Sequence, residues 1–434
     1  MGRHSAQEPA APESATTTGA AAGRLSRLGR SKQVPRLSRI QWILSVFLLL
    51  SGVATAVGLG ALWPAATDVA VSPDFAATSH FPKNQVNGTV AVRDQGPCAS
   101  PSIGRVFDTA PVSPLDKQGT NCERAIVDLT SGTNAGKRTL LMVGDHPGDP
   151  ELHQGEKIRL AEQTAADGQL GYTFTDYQRG TSLVVWLVVT ALAIVLIGSW
   201  RGARSLVGLV ITMTIVGVFL IPALLRGGDP LALAVVAGAA ILFLALYLVH
   251  GFSWKTSSAL AGTLISMALA AVMAKFAISG TQLRGLGQED NLLIQLYLPD
   301  VTVGGLMLCG FIVGALGVLN DVTVGQASTV NELAELDPTS SPLRLFRGAM
   351  KVGQDHIASM VYTLVLSYTG AALPLLLLLS VAGRPLLETL SGDVMATELI
   401  RSAIGALGLA MAVPITTLIA AFTVTGSREN KPRE

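Results

Sequence analysis

Two stretches of this chain, Leu183–Gly198 and Leu206–Leu225, contain no charged residue. A bilayer core of roughly 30 Å takes about 20 apolar residues of helix, and soluble folds rarely have room for such runs. Eight segments of this kind follow one another: about Gln41–Trp63, Ser182–Trp200, Leu206–Leu225, Leu231–His250, Ala259–Ser279, Val303–Gly325, Ala358–Ser380 and Thr397–Phe422. An even number places both termini on one side. Charged residues make up only 14% of the chain, against roughly 25% in soluble domains. Its 45 glycines suit helices that pack closely in lipid. A net charge of +1 gives no reason to expect a nucleic-acid partner.

The expected fold is therefore a membrane α-helical bundle of about eight spans, with a small β-rich domain inserted after the first. Residues 1–40 form a basic cytoplasmic tail, rich in Ala, Thr and Ser, with no apolar period and expected to be disordered. Residues 41–63 read as an uncleaved anchor, because the apolar run exceeds a signal-peptide core. Residues 64–180 change character. They read as five short strands: Gln85–Arg93, Arg124–Leu129, Lys137–Val143, Lys157–Glu162 and Tyr172–Gln178. Asn87-Gly88 and Asp167-Gly168 are taken as turns, and so the sequon Asn87-Gly88-Thr89 is read as a turn only. Five strands in this length suit a small barrel, OB-like in size. Residues 181–425 hold the seven remaining spans, and 426–434 a second cytoplasmic tail.

Basic residues near the spans set orientation. With the N-terminus inside, inner segments carry sixteen Lys or Arg and the later outer segments five. Both termini are thus expected in the cytoplasm and residues 64–180 outside. In that compartment Cys98 and Cys122 are expected to pair, which would stabilise the domain by roughly 3 kcal/mol. Cys309 lies in an apolar run and is read as a packing residue.

The polar residues inside the spans concentrate between Gly304 and Met360. Gly310, Gly314, Gly317, Asp321, Gly325, Ser328 and Glu332 recur at helical steps and share one stripe. Gly310, Gly314 and Gly317 form a seam for another helix; Asn320 and Asp321 bring polar groups to the same segment. The helix can run to Asp337-Pro338, about 51 Å at 1.5 Å per residue, so it must project, tilt or break near Gly325. Ser341-Pro342 then starts an interfacial helix whose Arg344, Arg347 and Lys351 meet lipid phosphates. Asp355 and His356 enter the membrane next. Asp355 either pairs locally with Lys351 or joins Asp321 in one site with His356. Pro374 and Pro414 are expected to kink their spans, each freeing a carbonyl. His146 and His153, with Asp145, Asp149 and Glu151, match no metal-ligand spacing and read as a solvated loop.

The blocks Gly314-Ala315-Leu316-Gly317-Val318-Leu319-Asn320-Asp321-Val322-Thr323-Val324, Ala327-Ser328, Asn331-Glu332, Gly348-Ala349-Met350-Lys351-Val352-Gly353-Gln354-Asp355 and Tyr368-Thr369-Gly370-Ala371-Ala372-Leu373-Pro374-Leu375-Leu376 resemble, in order and spacing, the YibE/F-like membrane proteins. The resemblance covers roughly 180–425 and is weaker in the β-domain ending at Asp176-Tyr177-Gln178-Arg179. It implies a bacterial multi-pass cell-membrane protein and supplies no catalytic or binding residues.

No Walker loop, HExxH or GxSxG occurs, and no enzyme, metal or cofactor is expected. Two functions remain. One is a permease or transport-associated protein for a small solute or ion, built on Asn320, Asp321, Ser328, Glu332, Asp355 and His356. The other is an envelope scaffold, sensor or assembly partner acting through the outer domain, with a protein partner or a second copy of itself.

Overall fold

The computed structural model describes residues 37–66, 68–75, 84–112, 120–144, 150–164 and 168–429. The basic tail, Asp145, His146, Asp149 and Asp167 lie outside them. Helix α1 spans Arg39–Ala61. It begins in a capping box: Ser38 Oγ accepts from the Gln41 N–H at 3.2 Å, and Gln41 Oε1 accepts from the Ser38 N–H at 3.1 Å. The same Gln41 donates to the Thr423 carbonyl, so the start of α1 and the end of the last helix share one end of the bundle, the tail end.

After α1 come strands β1 (Gln85–Pro97), β2 (Val106–Phe107), β3 (Asn121–Leu129), β4 (Arg138–Met142), β5 (Lys157–Thr164) and β6 (Leu170–Tyr177). They form one antiparallel sheet in the order β2-β4-β3-β1-β5-β6. The sheet curls until its edges meet. The Tyr172 N–H donates to the Gly104 carbonyl at 2.7 Å, and the Gly104 N–H donates to the Leu140 carbonyl at 2.8 Å. Val90, Val127, Leu129, Ile158, Leu160 and Tyr172 fill the inside.

The turn expected at Asn87-Gly88 does not form. Gly88 lies inside β1, paired with Leu129 on one side and Ile158 on the other. A Cβ there would stand 2.5 Å from Val127 Cγ1, so glycine serves a close cross-strand approach rather than a reversal. Gly168, by contrast, has a φ of +77° between β5 and β6. Beyond the β1–β3 register, Cys98 and Cys122 form the expected disulfide with their Cα atoms 5.1 Å apart. Close by, Arg124 is held bidentately by Asp94.

Helix α2 spans Gly180–Ile215 and runs on through a π-helical turn, Val216–Leu220, to Leu225. It is interrupted at Ser199, whose φ of 52° and ψ of −141° leave the helical region. The break falls between the two charge-free runs. Then follow α3 (Pro230–His250), α4 (Trp254–Gly280), α5 (Glu289–Tyr297), α6 (Val303–Leu336), α7 (Pro342–Ala371), α8 (Leu373–Val381), α9 (Leu386–Ser391) and α10 (Asp393–Glu429). Among the described residues, six helices are long and apolar enough to cross a membrane, or seven if α7 and α8, bent by 64°, make one span. The first part of α2 is exposed along almost its whole length, with Trp186, Leu196 and Ile197 uncovered. A helix apolar all round that packs on so little is stable in lipid, not in water.

Helices α4, α6 and α10 pack on one another at the centre. Their approach is governed by small residues. A Cβ at Gly262 of α4 would lie 1.9 Å from Thr416 Oγ1 of α10, and one at Gly353 of α7 would lie 2.5 Å from Val413. Hydroxyl bonds join the same surfaces: Thr263 to Thr323 at 2.6 Å and Thr417 Oγ1 to Gln326 Oε1 at 2.9 Å. Each such bond contributes about 1 kcal/mol between membrane helices.

Gly262→Leu is therefore expected to destabilise the bundle by about 1–3 kcal/mol through overpacking, read as a lower aggregation temperature of the detergent-solubilised chain, while Gly60→Ala, where nothing lies within 4 Å, leaves it unchanged. Replacing Cys98 and Cys122 by Ser should cost the β-domain about 3 kcal/mol by loop-closure entropy, seen as faster proteolysis between residues 84 and 178; equal rates would show that the disulfide does not constrain the domain.

Candidate functional site

Helix α6 runs unbroken past Gly325 to Leu336. Of the ways to place about 51 Å of helix, the structure removes the break. The residues Asn331 and Glu335 extend beyond the end of α3 and line a surface pocket with His250, Trp254 and Val424. The connection to α7 is fixed by Asp337. Hydrogen bonds from Ser340 and Thr339 hold its carboxyl at about 2. The stabilisation is present at neutral pH and is lost only as pH falls through that value. Ser341 then caps α7, with Pro342 in its first turn. Arg344, Arg347 and Lys351 are exposed, while Leu345, Ala349 and Gly353 are buried, which gives the expected two-faced helix.

The glycine stripe of α6 does not serve as a helix-packing seam within this chain. Nothing lies within 4 Å of a Cβ at Gly310 or Gly317, and Gly314 meets only the Tyr368 hydroxyl of α7, at 3.2 Å. The bulky side of α6, with Phe311, Ile312, Ala315 and Leu319, is what packs inward. The glycines face out into a groove that α2 and α7 border without closing.

Asp321 lies on this open side. It and Asn320 line a cavity of about 540 Å³ between α6, α3 and the later part of α2, together with His250, Ser205, Thr212 and Gly317. The wall is otherwise apolar. Asn320 Oδ1 is buried with no hydrogen-bond partner among the described residues, a condition that costs about 1–3 kcal/mol.

The structure does not join Asp355 to Asp321. Asp355 is exposed on α7 and is not part of the cavity wall. Its neighbour His356 does reach α6, with Cε1 3.8 Å from the Cβ position of Gly325. Ser328 is half-buried and Glu332 exposed, both outside the cavity. The ionisable residue that shares this cavity with Asp321 is His250, which ends α3. The sequence marks it only as a span boundary. A histidine closing a charge-free helix was the available signal.

A second polar level lies nearer the β-domain end, about 12 Å along α10 from its start. Arg401 NH1 holds both oxygens of Glu398 at 2.9 Å. Its guanidinium lies 5.4 Å from the Phe311 ring of α6 and 5.9 Å from that of Tyr368. Tyr368 is also the residue beside Gly314, so this pair borders the same groove.

Pro374 sits at the start of α8, just after the 64° bend. Pro414 lies within an α10 that continues through it.

The profile of the YibE/F-like protein family matches residues 186–426. The chain belongs to the YibE/F-like family. The match takes in the break at Ser199, the α6 groove, His250, Asp321 and the Glu398–Arg401 pair. No curated protein and no solved structure matches the chain.

An open groove has a direct chemical consequence. Cysteine placed at Gly317, which has free space around it, is expected to react with a small water-soluble thiol reagent at least about tenfold faster than the buried native Cys309. Equal protection of both would show the groove to be covered.

Proposed function

We propose that this YibE/F-like protein is a bacterial cell-membrane permease, or the membrane part of a transport system, for a small solute or ion. The observation that carries this reading is the uncovered glycine face of α6, which leads from the Glu398–Arg401 level to the cavity holding Asn320 and Asp321. Ionisable groups inside membrane helices are costly and are typically retained where a solute or proton passes. A solute in the groove would exchange part of its hydration for Asp321, Asn320 and Ser205.

The proposed topology has eight spans, counting the two parts of α2 on either side of Ser199 and the bent α7–α8 as one span. The sixteen-to-five excess of basic residues near the inner segments supports cytoplasmic termini and an outer β-domain. No catalysis is proposed.

The separate core and disulfide of the β-domain favour a second reading. Such a domain is more than a tether needs, and it suits an envelope scaffold or sensor that binds a protein partner or a second copy of this chain. Crosslinking of intact cells distinguishes the two: a reproducible adduct through residues 84–178, with no flux, would favour the scaffold.

For the permease, reconstituted protein is screened for uptake of monovalent and divalent cations and small organic ions. Asp321→Asn is expected to lower the flux about tenfold or more, with folding preserved, because a charge that compensates a desolvated solute has been removed. Unchanged flux in this variant would remove Asp321 from the path.

A further inference from the structure

His250 belongs to two cavities at once. It lines the intramembrane cavity with Asp321, and it also lines the pocket of about 490 Å³ at the tail end, with Ser253, Lys255, Asn331 and Glu335. We infer that His250 is a proton relay between the tail-end pocket and Asp321, and hence that the coupling ion of the proposed permease is the proton. This deepens the permease reading and rests on the same cavity.

The geometry is that of a gatepost. The tail-end pocket is open and carries hydroxyl, amide, ammonium and carboxylate groups beside Trp254 and Val424. The intramembrane cavity is walled by Leu242, Leu246, Val249 and Leu316, with Asp321 and Asn320 among its few polar groups. One side chain is common to both, and its ring carries two nitrogens that can each bind or release a proton. The helix that carries it ends there: Gly251, with a φ of 75°, turns the chain away.

The charged and titratable groups facing His250 come from three neighbouring elements. Arg201 comes from α2, Lys255 from the first turn of α4, and Asp321 and Glu335 from α6. Among the described residues, α10 brings the apolar Val424 to the pocket. A relay needs a ring held neither permanently protonated nor permanently neutral, and groups of both charge signs surround His250.

The step balances simply. Hydronium in the tail-end pocket gives its proton to the free ring nitrogen, so that an O–H bond breaks and an N–H bond forms. The imidazolium then loses the proton on its other nitrogen, through water in the shared cavity, to the Asp321 carboxylate, which becomes a neutral carboxylic acid. The imidazole is left neutral in its other tautomer, and rotation of the ring restores the start. Neutralised Asp321 holds a cationic or polar solute less firmly, which links proton entry to solute release.

The test needs no known substrate. Full-length protein in phosphatidylcholine vesicles is subjected to a downward pH jump, and the C=O stretch of protonated Asp321 is followed by time-resolved infrared difference spectroscopy. The band is assigned by its loss in Asp321→Asn. The relay predicts that His250→Gln slows the appearance of the band about tenfold or more, with its final amplitude kept. An unchanged rate in that variant, or the absence of any band lost in Asp321→Asn, would overturn the inference. Should His250→Gln not fold, Lys255→Cys supplies a second arm. A bulky thiol reagent there plugs the tail-end pocket and should slow the band by a similar factor, and no slowing would again count against the relay. Because this readout is independent of flux, a failure of every transport assay would sink the permease reading without touching the relay.

Discussion

The contact between Gly262 and Thr416 sets the spacing on which the rest of the bundle depends. In lipid no hydrophobic force draws apolar helices together, so close approach and hydrogen bonds must do it. With no side chain at position 262, α10 lies directly against α4. That brings Thr417 within 2.9 Å of Gln326 and leaves Thr263 and Thr323 sharing a hydroxyl bond, which seats α6 against both. Gly353 then admits α7 onto Gln326 and Val413. The packing surfaces of α6 are thereby committed inward, and its glycines are left outward. The groove is a result of how the core is built, and it costs α6 no core contact.

What was legible in the sequence was local. The apolar runs, the Ser341-Pro342 start of α7 and the five main strands depend on neighbours a few residues away, and the sequence shows those neighbours. The Cys98–Cys122 pair was legible because few cysteines share a compartment. Asn87-Gly88 misled because a turn and a close strand crossing ask for the same residue. Only Val127 and Ile158, distant in sequence, decide between them. The stripe Gly310, Gly314 and Gly317 carries the same ambiguity. Small residues mark a helix that another helix approaches, or a helix that nothing approaches. The partner of Asp321 was illegible for a related reason. Asp355 is expected beside Asp321 because both lie near one membrane face, whereas His250 shares the Asp321 cavity because α3 ends at that height.

The two prolines show how far surroundings override a local rule. Each removes one backbone donor. Beside Pro374 the neighbouring residues Leu373, Leu377 and Leu378 are exposed, and the chain bends by 64°. Beside Pro414 the residues Ala412, Val413, Thr416 and Thr417 are buried against α4, α6 and α7, and the helix continues. A helix clamped on three sides cannot swing away, so the lost bond is absorbed in place. Thr417 and its hydroxyl bond to the Val413 carbonyl add to that local support.

Charge placement follows the same division between clamped and open regions. A charged side chain at the centre of a membrane helix costs about 2.5–3.5 kcal/mol on insertion scales. Glu398 and Arg401 reduce that cost by neutralising each other and by setting the guanidinium against two aromatic rings. Such an arrangement is static and would serve as a fixed wall. Asp321 is treated differently. It faces the open groove and shares an otherwise apolar-walled cavity with the imidazole of His250. Under the proposed permease reading, the Asp321 level is therefore where binding and release would be driven, and the Arg401 level is where the groove is held in shape.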